Sequence, residues 1–597
     1  MKKLLAFALV IALLLSSAAS AAVLPYAAVY EPETSFVLAS TIAWKADNAD
    51  FAAEKVRPGT AMVHLDAELK VYSEDGNRIC ESLGEYVEKT AGTVIPALYI
   101  SDEAAAAALK EYLEESGLGD VFVAADYRNA ALVREVAELL HVRGMVDFRS
   151  METVGDLNEI IRTTNGNRAK VALLPEAWAD EDTVRYLQSR LMTVWVECGS
   201  TMKSLLTQYT NGVNGILTDD YTAAVEALAF FDDDAPSLLR VPNIIGHRGM
   251  PSMFIENTTL SALGAFAAGA DAIEIDIYLS ADGGLFITHD AGMERLFARA
   301  DVDNVEKLTL AELLEIPFDE ASVQENNNTP ASKTVNGSVQ MLPSQRIPTL
   351  EEIYDAFADS GAVIDTEIKS HNPGIVSALK AMSEEKDNFG ELFVITFNTE
   401  ILDEMAKTWP EMSVGALGSQ SSKKTKGQPE YVNFDKIIQK KGVEKALEML
   451  YEQLDPWNAT FNPNRGFSYE LAVAGRHRGL TVWPWTYNDP APFAGAYLDG
   501  LYGLTTNFAW WATDFVRDIR AKDAEIEIGG TLVPPVITRQ SGERVTDAKP
   551  KLIVIEGSLE EKGEALCIYR LKQEMTIEGE YYGNYYLYSN PFTVTVK

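Results

Sequence analysis

Cysteine is nearly missing: the 597 residues contain three, Cys80, Cys198 and Cys567. Odd in number and far apart, they exclude a disulfide framework and a clustered thiolate zinc site. Positive charge is scarce, with 51 Lys and Arg against 88 Asp and Glu, a formal net charge of -37. A surface that acidic repels a polyphosphate backbone, so nucleic acid is not an expected partner. Long hydrophobic runs are almost absent too. Leu4 to Leu15 is 12 apolar residues, short of the roughly 20 needed to cross a bilayer as a helix, and no stable membrane span is expected. What is abundant is core material, 47% hydrophobic, too much chain for one ordinary domain.

Around that short run, Met1-Lys2-Lys3 precedes it and Ser16-Ser17-Ala18-Ala19-Ser20-Ala21 follows it. Charged, greasy and small-residue segments in that order read as a secretory signal, residues 1–21, cleaved after Ala21, and predict a secreted protein. Beyond it, short β-branched runs alternate with amphipathic ones, the rhythm of repeated βα units. The rhythm breaks at Phe231-Asp232-Asp233-Asp234-Ala235-Pro236 and stops after Ala524, where alternating, aromatic-rich segments take over. The expected units are therefore residues 30–235, 242–522 and 525–597, the last a small β-sandwich-like domain.

The two βα stretches resemble each other in order. Met192-Thr193-Val194-Trp195 parallels Leu480-Thr481-Val482-Trp483, and Gly212 to Asp219 parallels Gly500 to Asn507 without a gap. Aligning Gly92–Ser101 with Gly361–Ser370 puts Leu98 where Glu367 stands and Ile100 where Lys369 stands. The first stretch thus reads as a barrel copy without chemistry, its His64 and His141 structural, a packing or recognition partner.

Chemistry concentrates in the second stretch. Asn243-Ile244-Ile245-Gly246-His247-Arg248-Gly249 is an apolar strand ending in a His-Arg pair, which in a βα barrel falls on the active face. In Ala272-Ile273-Glu274-Ile275-Asp276-Ile277, alternation sends the isoleucines one way and both carboxylates the other. Neighbouring carboxylates need a raised pKa or a cation between them, and oxygen donors favour a hard one, Ca²⁺ or Mg²⁺. Asp365, Glu367 and Lys369 share a face on a further strand, so Glu367 completes a ligand set with Lys369 near the rim. His289-Asp290 follows the turn at Asp282-Gly283-Gly284. Paired imidazoles beside a metal suit phosphoryl transfer, one accepting a proton and one donating it.

Gly246-His247-Arg248-Gly249, Glu256-Asn257-Thr258, Gly269 to Asp276, Asp282-Gly283, His289-Asp290, Ile347 to Glu352 and Glu367-Ile368-Lys369 together resemble the glycerophosphodiester phosphodiesterase family, over roughly residues 242–520. The resemblance implies a (β/α)8 TIM barrel, preceded here by the degenerate barrel and followed by the all-β domain. It implies one divalent cation and hydrolysis of glycerophosphodiesters to glycerol 3-phosphate and an alcohol. Carried over by position, His247 and His289 are the acid/base pair, Glu274, Asp276 and Glu367 the metal ligands, Arg248 and Lys369 the phosphate contacts, and Trp485 a substrate neighbour. Ca²⁺ is favoured over Mg²⁺ because an exported protein meets it at high concentration. Three positions depart from the family pattern: Ile255 before Glu256, Leu296-Phe297 after Arg295, and Asn507 after Thr506. They bear on the alcohol-side pocket, and a cell-envelope polymer is a further candidate substrate. The alternative readings are a phospholipase D-like enzyme acting on lysolipids and a non-catalytic envelope-binding protein.

Overall fold

A computed structural model describes residues 26–153, 155–329, 333–342, 345–418 and 433–597; the expected signal segment lies outside them. Among the described residues no helix is long and apolar enough to cross a membrane.

The first unit is a closed barrel of eight parallel strands. They are β1 (Thr41–Lys45), β2 (Thr60–Leu65), β5 (Ile95–Tyr99), β6 (Val121–Asp126), β7 (Val142–Asp147), β8 (Ala169–Pro175), β9 (Thr193–Glu197) and β10 (Gly215–Thr218). β1 pairs with both β10 and β2, which closes the ring, and the hairpin of β3 (Val71–Tyr72) and β4 (Arg78–Cys80) projects from β2. Apolar side chains fill the interior, among them Met62, Ala97, Tyr99, Phe122 and Trp195. Leu98 and Ile100 instead face outward, into the core shared with the helices. The sequence alignment at this strand is therefore displaced by one residue, and Ala97 and Tyr99 occupy the inward positions.

The second unit repeats the plan. The strands β11 (Asn243–Gly246), β12 (Ala272–Leu279), β14 (Val363–Ile368), β15 (Leu392–Thr396), β16 (Val414–Gly418), β17 (Thr460–Pro463) and β18 (Gly503–Thr506) run in the order β17-β16-β15-β14-β12-β11-β18, with β13 (Leu285–Ile287) folded back on β12. Residues 482–485 supply the eighth wall. They bridge β17 at Phe461–Val482 and Asn464–Trp485 and join β18 through Thr505 N–H to the Pro484 carbonyl and Tyr487 N–H to the Thr505 carbonyl. Both barrels lay a tryptophan over a glycine of the last strand. A Cβ on Gly215 would stand 2.6 Å from Trp195, and one on Gly503 2.1 Å from Trp483, so only glycine fits.

The barrels meet bottom to bottom. The first residues of β1 and β9 bond the turn before residues 482–485: Thr41 Oγ1 to His477 Nδ1 at 2.7 Å and Thr193 Oγ1 to the Gly479 carbonyl at 2.8 Å. Asp120, just ahead of β6, takes two hydrogen bonds from Arg478, both 2.7 Å, and one from Arg143 at 2.8 Å. All three groups are buried. The two C-terminal mouths consequently point in opposite directions.

The tail is all β. β20 (Ala524–Ile526), β22 (Lys551–Glu556), β23 (Gly563–Ile577), β24 (Glu580–Tyr588) and β25 (Phe592–Val596) form one sheet around β23, while β19 (Val516–Arg520) and β21 (Val536–Arg539) form a ribbon beside it. The acidic run between the barrels is not a free linker. Asp233 pairs with Arg570 and Tyr588, Asp234 with Lys572 and Tyr586, and Phe231 packs edge-on against Tyr588. Tyr585 is buried against Tyr497 of the second barrel, whereas Tyr581 is exposed.

Candidate active site

The mouth of the second barrel holds the charged residues that the alternation aimed inward. β12 and β14 pair in register so that Glu274 lies opposite Asp365 and Asp276 opposite Glu367. One oxygen from each of Glu274, Asp276 and Glu367 lies within 4.8 Å of the other two. Around them opens a cavity of about 200 Å³, bounded by His247, Arg248, His289, Lys369 and the aromatic wall of Phe397, Trp483 and Trp485. Trp485 is fixed edge-on to Phe397 and donates its indole N–H to the Asn462 carbonyl at 3.0 Å.

The carboxylates differ in character. Burial raises Glu274 well above its ordinary range, and Asp276, Glu367 and Asp365 add to the rise. Burial also raises Glu367, against the pull of Lys369. Asp276 is equally buried, but Lys369 and Arg248 outweigh the desolvation and hold it low. Lys369 Nζ stands 2.6 Å from Glu367 and 3.3 Å from Asp276. Glu274 Oε1 is buried and accepts no hydrogen bond, a state that costs about 1–3 kcal/mol in an ordinary core. An all-oxygen donor set with an orphaned carboxylate oxygen fits a hard divalent cation, which would take the place of the proton on Glu274.

Each histidine has its Nδ1 held and its Nε2 free of hydrogen bonds. His247 Nδ1 lies 2.7 Å from Asn507 Oδ1. The amide of Asn507 is oriented by its own Nδ2, which donates to the Asn328 carbonyl and to Thr329 Oγ1; Asn328 Nδ2 also stands 3.0 Å from the same ring nitrogen, but the nearer partner is the Asn507 oxygen, and a ring that donates to it from Nδ1 keeps a lone pair at Nε2. Burial, reinforced by the Arg248 guanidinium, holds this imidazole down to about 3 and hence neutral. His289 Nδ1 instead lies 2.6 Å from Asp290 Oδ1. Against burial, His289 and Arg295 hold that carboxyl at about 2, so an ionised partner faces the ring.

The loop after β11 needs its glycine: Gly249 has φ +82°, and a Cβ there would stand 2.5 Å from Ser261. That turn aims the Arg248 N–H at Glu274 at 2.7 Å. Its guanidinium bonds Glu256 at 2.9 Å, and its Nε makes no hydrogen bond although it is buried. Arg248, Arg295 and the Asn328 N–H all converge on the fully buried Glu256.

All eight residues assigned from the sequence lie at this mouth, Trp485, Arg248 and Lys369 included. The sequence reading missed Asn257, which clamps Asp276 with bonds of 2.7 and 3.1 Å. It also missed Glu256, Asp290, Asn328 and the positioning role of Asn507. Glu256, Asn257 and Asp290 stood inside quoted motifs, and Asn507 was visible as a departure. Asn328 lies in the long segment between β13 and β14, where no pattern marked it.

At the first barrel's mouth the strand registers match those of the second. Ala43 opposite Thr60 corresponds to Ile245 opposite Ala272, and Met62 opposite Ala97 to Glu274 opposite Asp365. Met62, His64 and Tyr99 therefore stand where Glu274, Asp276 and Glu367 stand. His64 stacks on Tyr99 at 4.4 Å. Lys45 occupies the place of His247 and is tied to Glu197 at 2.7 Å and Asp219 at 2.8 Å. This end holds no comparable carboxylate triad among the described residues. His141 accepts or donates one bond to Tyr26 at the barrel interface.

A model of the glycerophosphoryl diester phosphodiesterase family matches residues 247–510. A glycerophosphodiester phosphodiesterase of Caldanaerobacter subterraneus subsp. tengcongensis is 31% identical over 269 residues, 44% of this chain and 93% of that protein. A lysophospholipase D of Mus musculus is 27% identical over 169 residues, 27% of this chain and 48% of that protein. Among solved structures, a phosphodiesterase from Oleispira antarctica in complex with the product sn-glycerol-3-phosphate has 23% identity and a TM-score of 0.34, covering 45% of this chain and 94% of that one.

Proposed function

The chain belongs to the glycerophosphodiester phosphodiesterase family and is a phosphoric diester hydrolase; on that premise we propose that it hydrolyses glycerophosphodiesters to glycerol 3-phosphate and an alcohol by a metal-dependent, two-histidine mechanism. The observation that carries this reading is the buried Glu274, Asp276, Glu367 triad lying between two imidazoles whose Nδ1 atoms are already engaged.

Glu274, Asp276 and Glu367 would hold the cation, which supplies charge neutralisation at the phosphoryl oxygens. Ca²⁺ is our choice over Mg²⁺, for the flexible geometry a three-carboxylate site tolerates and its abundance outside cells. His247, neutral with a free Nε2, takes a proton from the water whose oxygen bonds to phosphorus as the P–O bond to the alcohol breaks. His289, its Nδ1–H anchored on the ionised Asp290, delivers a proton from Nε2 to the leaving alkoxide oxygen. Arg248 and Lys369 line the cavity as the donors for the phosphoryl oxygens. Phe397 and Trp485 form the apolar wall against which the uncharged part of the substrate rests. The first barrel, with Met62, His64 and Tyr99 in the ligand positions, is read as a copy without this chemistry and as a packing or recognition partner. The protein is further proposed to be secreted, cleaved after Ala21; the N-terminal sequence of the exported protein tests this.

Glycerol 3-phosphate release from glycerophosphocholine and glycerophosphoglycerol polymer, and headgroup alcohol with acylglycerol phosphate release from lysophospholipid, test the activity. Chelation should abolish turnover, and Ca²⁺ or, less well, Mg²⁺ should restore it. Full activity in excess chelator would overturn the metal assignment, and inertness toward all three substrates with metal present would overturn the substrate class.

A further inference from the structure

The tail sheet leaves one strand edge bare. Of the strands that flank β23, β24 is covered from outside: Leu238 N–H bonds the Tyr586 carbonyl at 2.9 Å, and Tyr586 N–H bonds the Pro236 carbonyl at 2.8 Å. β22 pairs with β23 alone, and among the described residues no hydrogen bond reaches its other side. Its sequence is Lys551-Leu552-Ile553-Val554-Ile555-Glu556, four apolar residues between two charges. Val554 is 40% exposed, and Leu552, Ile553 and Ile555 are half-buried. Unpaired backbone N–H and C=O groups beside accessible aliphatic side chains are a template for another strand.

The register decides which strand fits. Lys551, Ile553 and Glu556 stand opposite Arg570, Ile568 and Leu566, alternate residues of β23 that share one face. They do so because Ile555 is an extra residue, a bulge. Leu552 and Val554 stand opposite Tyr569 and Cys567, on the other face. With the bulge set aside, β22 offers five positions, Lys-Leu-Ile-Val-Glu, with opposite charges at the two ends of one face. Laid antiparallel to itself about Ile553, this strand sets Lys551 against Glu556 of a second copy, Leu552 against Val554, and Ile553 against itself. Every opposed pair then shares a face, as antiparallel pairing requires. Without the bulge, Lys551 and Glu556 would point to opposite faces. Both are exposed, and among the described residues neither joins an ion pair. The chain beyond them extends the match: Lys549 adds to the basic end, which also holds Asp547, and Glu560 and Glu561 add to the acidic end, which also holds Lys562.

We propose that β22 is a dimerisation edge, through which two copies of this chain join their tails antiparallel about a two-fold axis at Ile553 and continue the sheet from one molecule into the other. Such a contact is isologous, so it consumes both bare edges and closes at two copies. Pro550, which has no N–H to donate, ends the pairing on one side.

The test sediments the full chain over a concentration series at physiological ionic strength, which screens the repulsion between two acidic molecules. The chain should pass from monomer to dimer. Lys551→Glu sets acid against acid at both ends of the contact and should raise Kd at least about tenfold, as should Glu556→Lys. Lys551→Glu combined with Glu556→Lys restores opposite charges and should bring Kd back to within about threefold of the parent. Both positions are exposed, so the variants should keep the parent Tm. Ile553→Cys brings two thiols face to face across the axis, with Cα atoms about 4.5–5.5 Å apart, inside the span of a disulfide. Mild oxidation should then give a covalent dimer; the three native cysteines are buried, and the parent chain should give none. A chain that stays monomeric at every concentration reached would mean that the edge serves a different protein or none, and would overturn the proposal. So would a dimer indifferent to both charge reversals, or a folded Ile553→Cys chain that oxidation leaves uncrosslinked.

Discussion

His247 and His289 are set apart by what stands behind them. A neutral carboxamide behind one imidazole and an ionised carboxylate behind the other give a lone pair on one side and an anchored N–H on the other. His247→Ala and His289→Ala should each lower kcat by about 10²-fold or more, while calcium still raises Tm, because neither ring is a metal ligand. Metal-dependent stabilisation is the check that separates lost chemistry from lost fold. Asn257→Ala tests a group the sequence left without a role: the Asp276 carboxylate loses its 2.7 Å donor, so metal affinity should fall by roughly 10–100-fold, the usual scale for a residue that orients a ligand, read by calcium titration. At this scale the strand residues were legible, because alternation decides which side chains face inward. The same period makes the reading fragile. A slip of one residue at 97–100 turned outward-facing Leu98 and Ile100 into barrel-interior positions. The partners Asn328 and Asn507 arrive from distant loops, and no local pattern encodes that meeting.

Among the elements, the β-rich tail was recognisable from its turns and aromatics, yet its attachment was not. Residues 231–237 read as a domain boundary because three aspartates and a proline interrupt the βα rhythm. In the fold two of those aspartates, Asp233 and Asp234, are a docking strip for Arg570, Lys572, Tyr586 and Tyr588. Truncation near Ala524 therefore has two consequences. The catalytic mouth keeps every residue that lines it, so kcat on a small soluble substrate should stay within about twofold for the folded fraction. Stability should fall, since Asp233 loses Arg570 and Tyr588 as partners and Phe231 loses its packing against Tyr588. Activity normalised to folded protein, together with a denaturation midpoint, distinguishes the two; an inactive but folded truncation would show that the tail completes the site.

On the scale of the whole molecule, the sequence announced two barrels through repeated tryptophan–glycine and strand patterns, but nothing in it announced that they share one charged floor. Asp120 sits in the first barrel and answers arginines from both. Asp120→Ala strands Arg143 and Arg478 in a dry interface, and a loss of about 3–5 kcal/mol is expected in chemical denaturation with kcat unchanged. The interface also carries an acid dependence. Burial and Arg476 hold His477 down to about 4. Between about pH 6.5 and 4 the unfolded chain binds the His477 proton and the folded chain does not, so stability falls as pH drops through that window and is fully present above it. The slope due to His477 approaches one proton, at most about 1.4 kcal/mol per pH unit. His477→Gln should flatten that part of the Tm–pH curve; an unchanged curve would assign the acid sensitivity to other groups.

The bottom-to-bottom contact has a directional consequence. With the floors joined, the catalytic opening looks out from one end of the protein and the opening rimmed by Lys45, His64 and Tyr99 from the other. A surface that grips the second opening holds the enzyme at arm's length, with the hydrolytic end turned outward toward whatever diffuses past and away from the support itself. A long polymer seized at one end would have to double back along the full length of both barrels before it met the catalytic residues at the other.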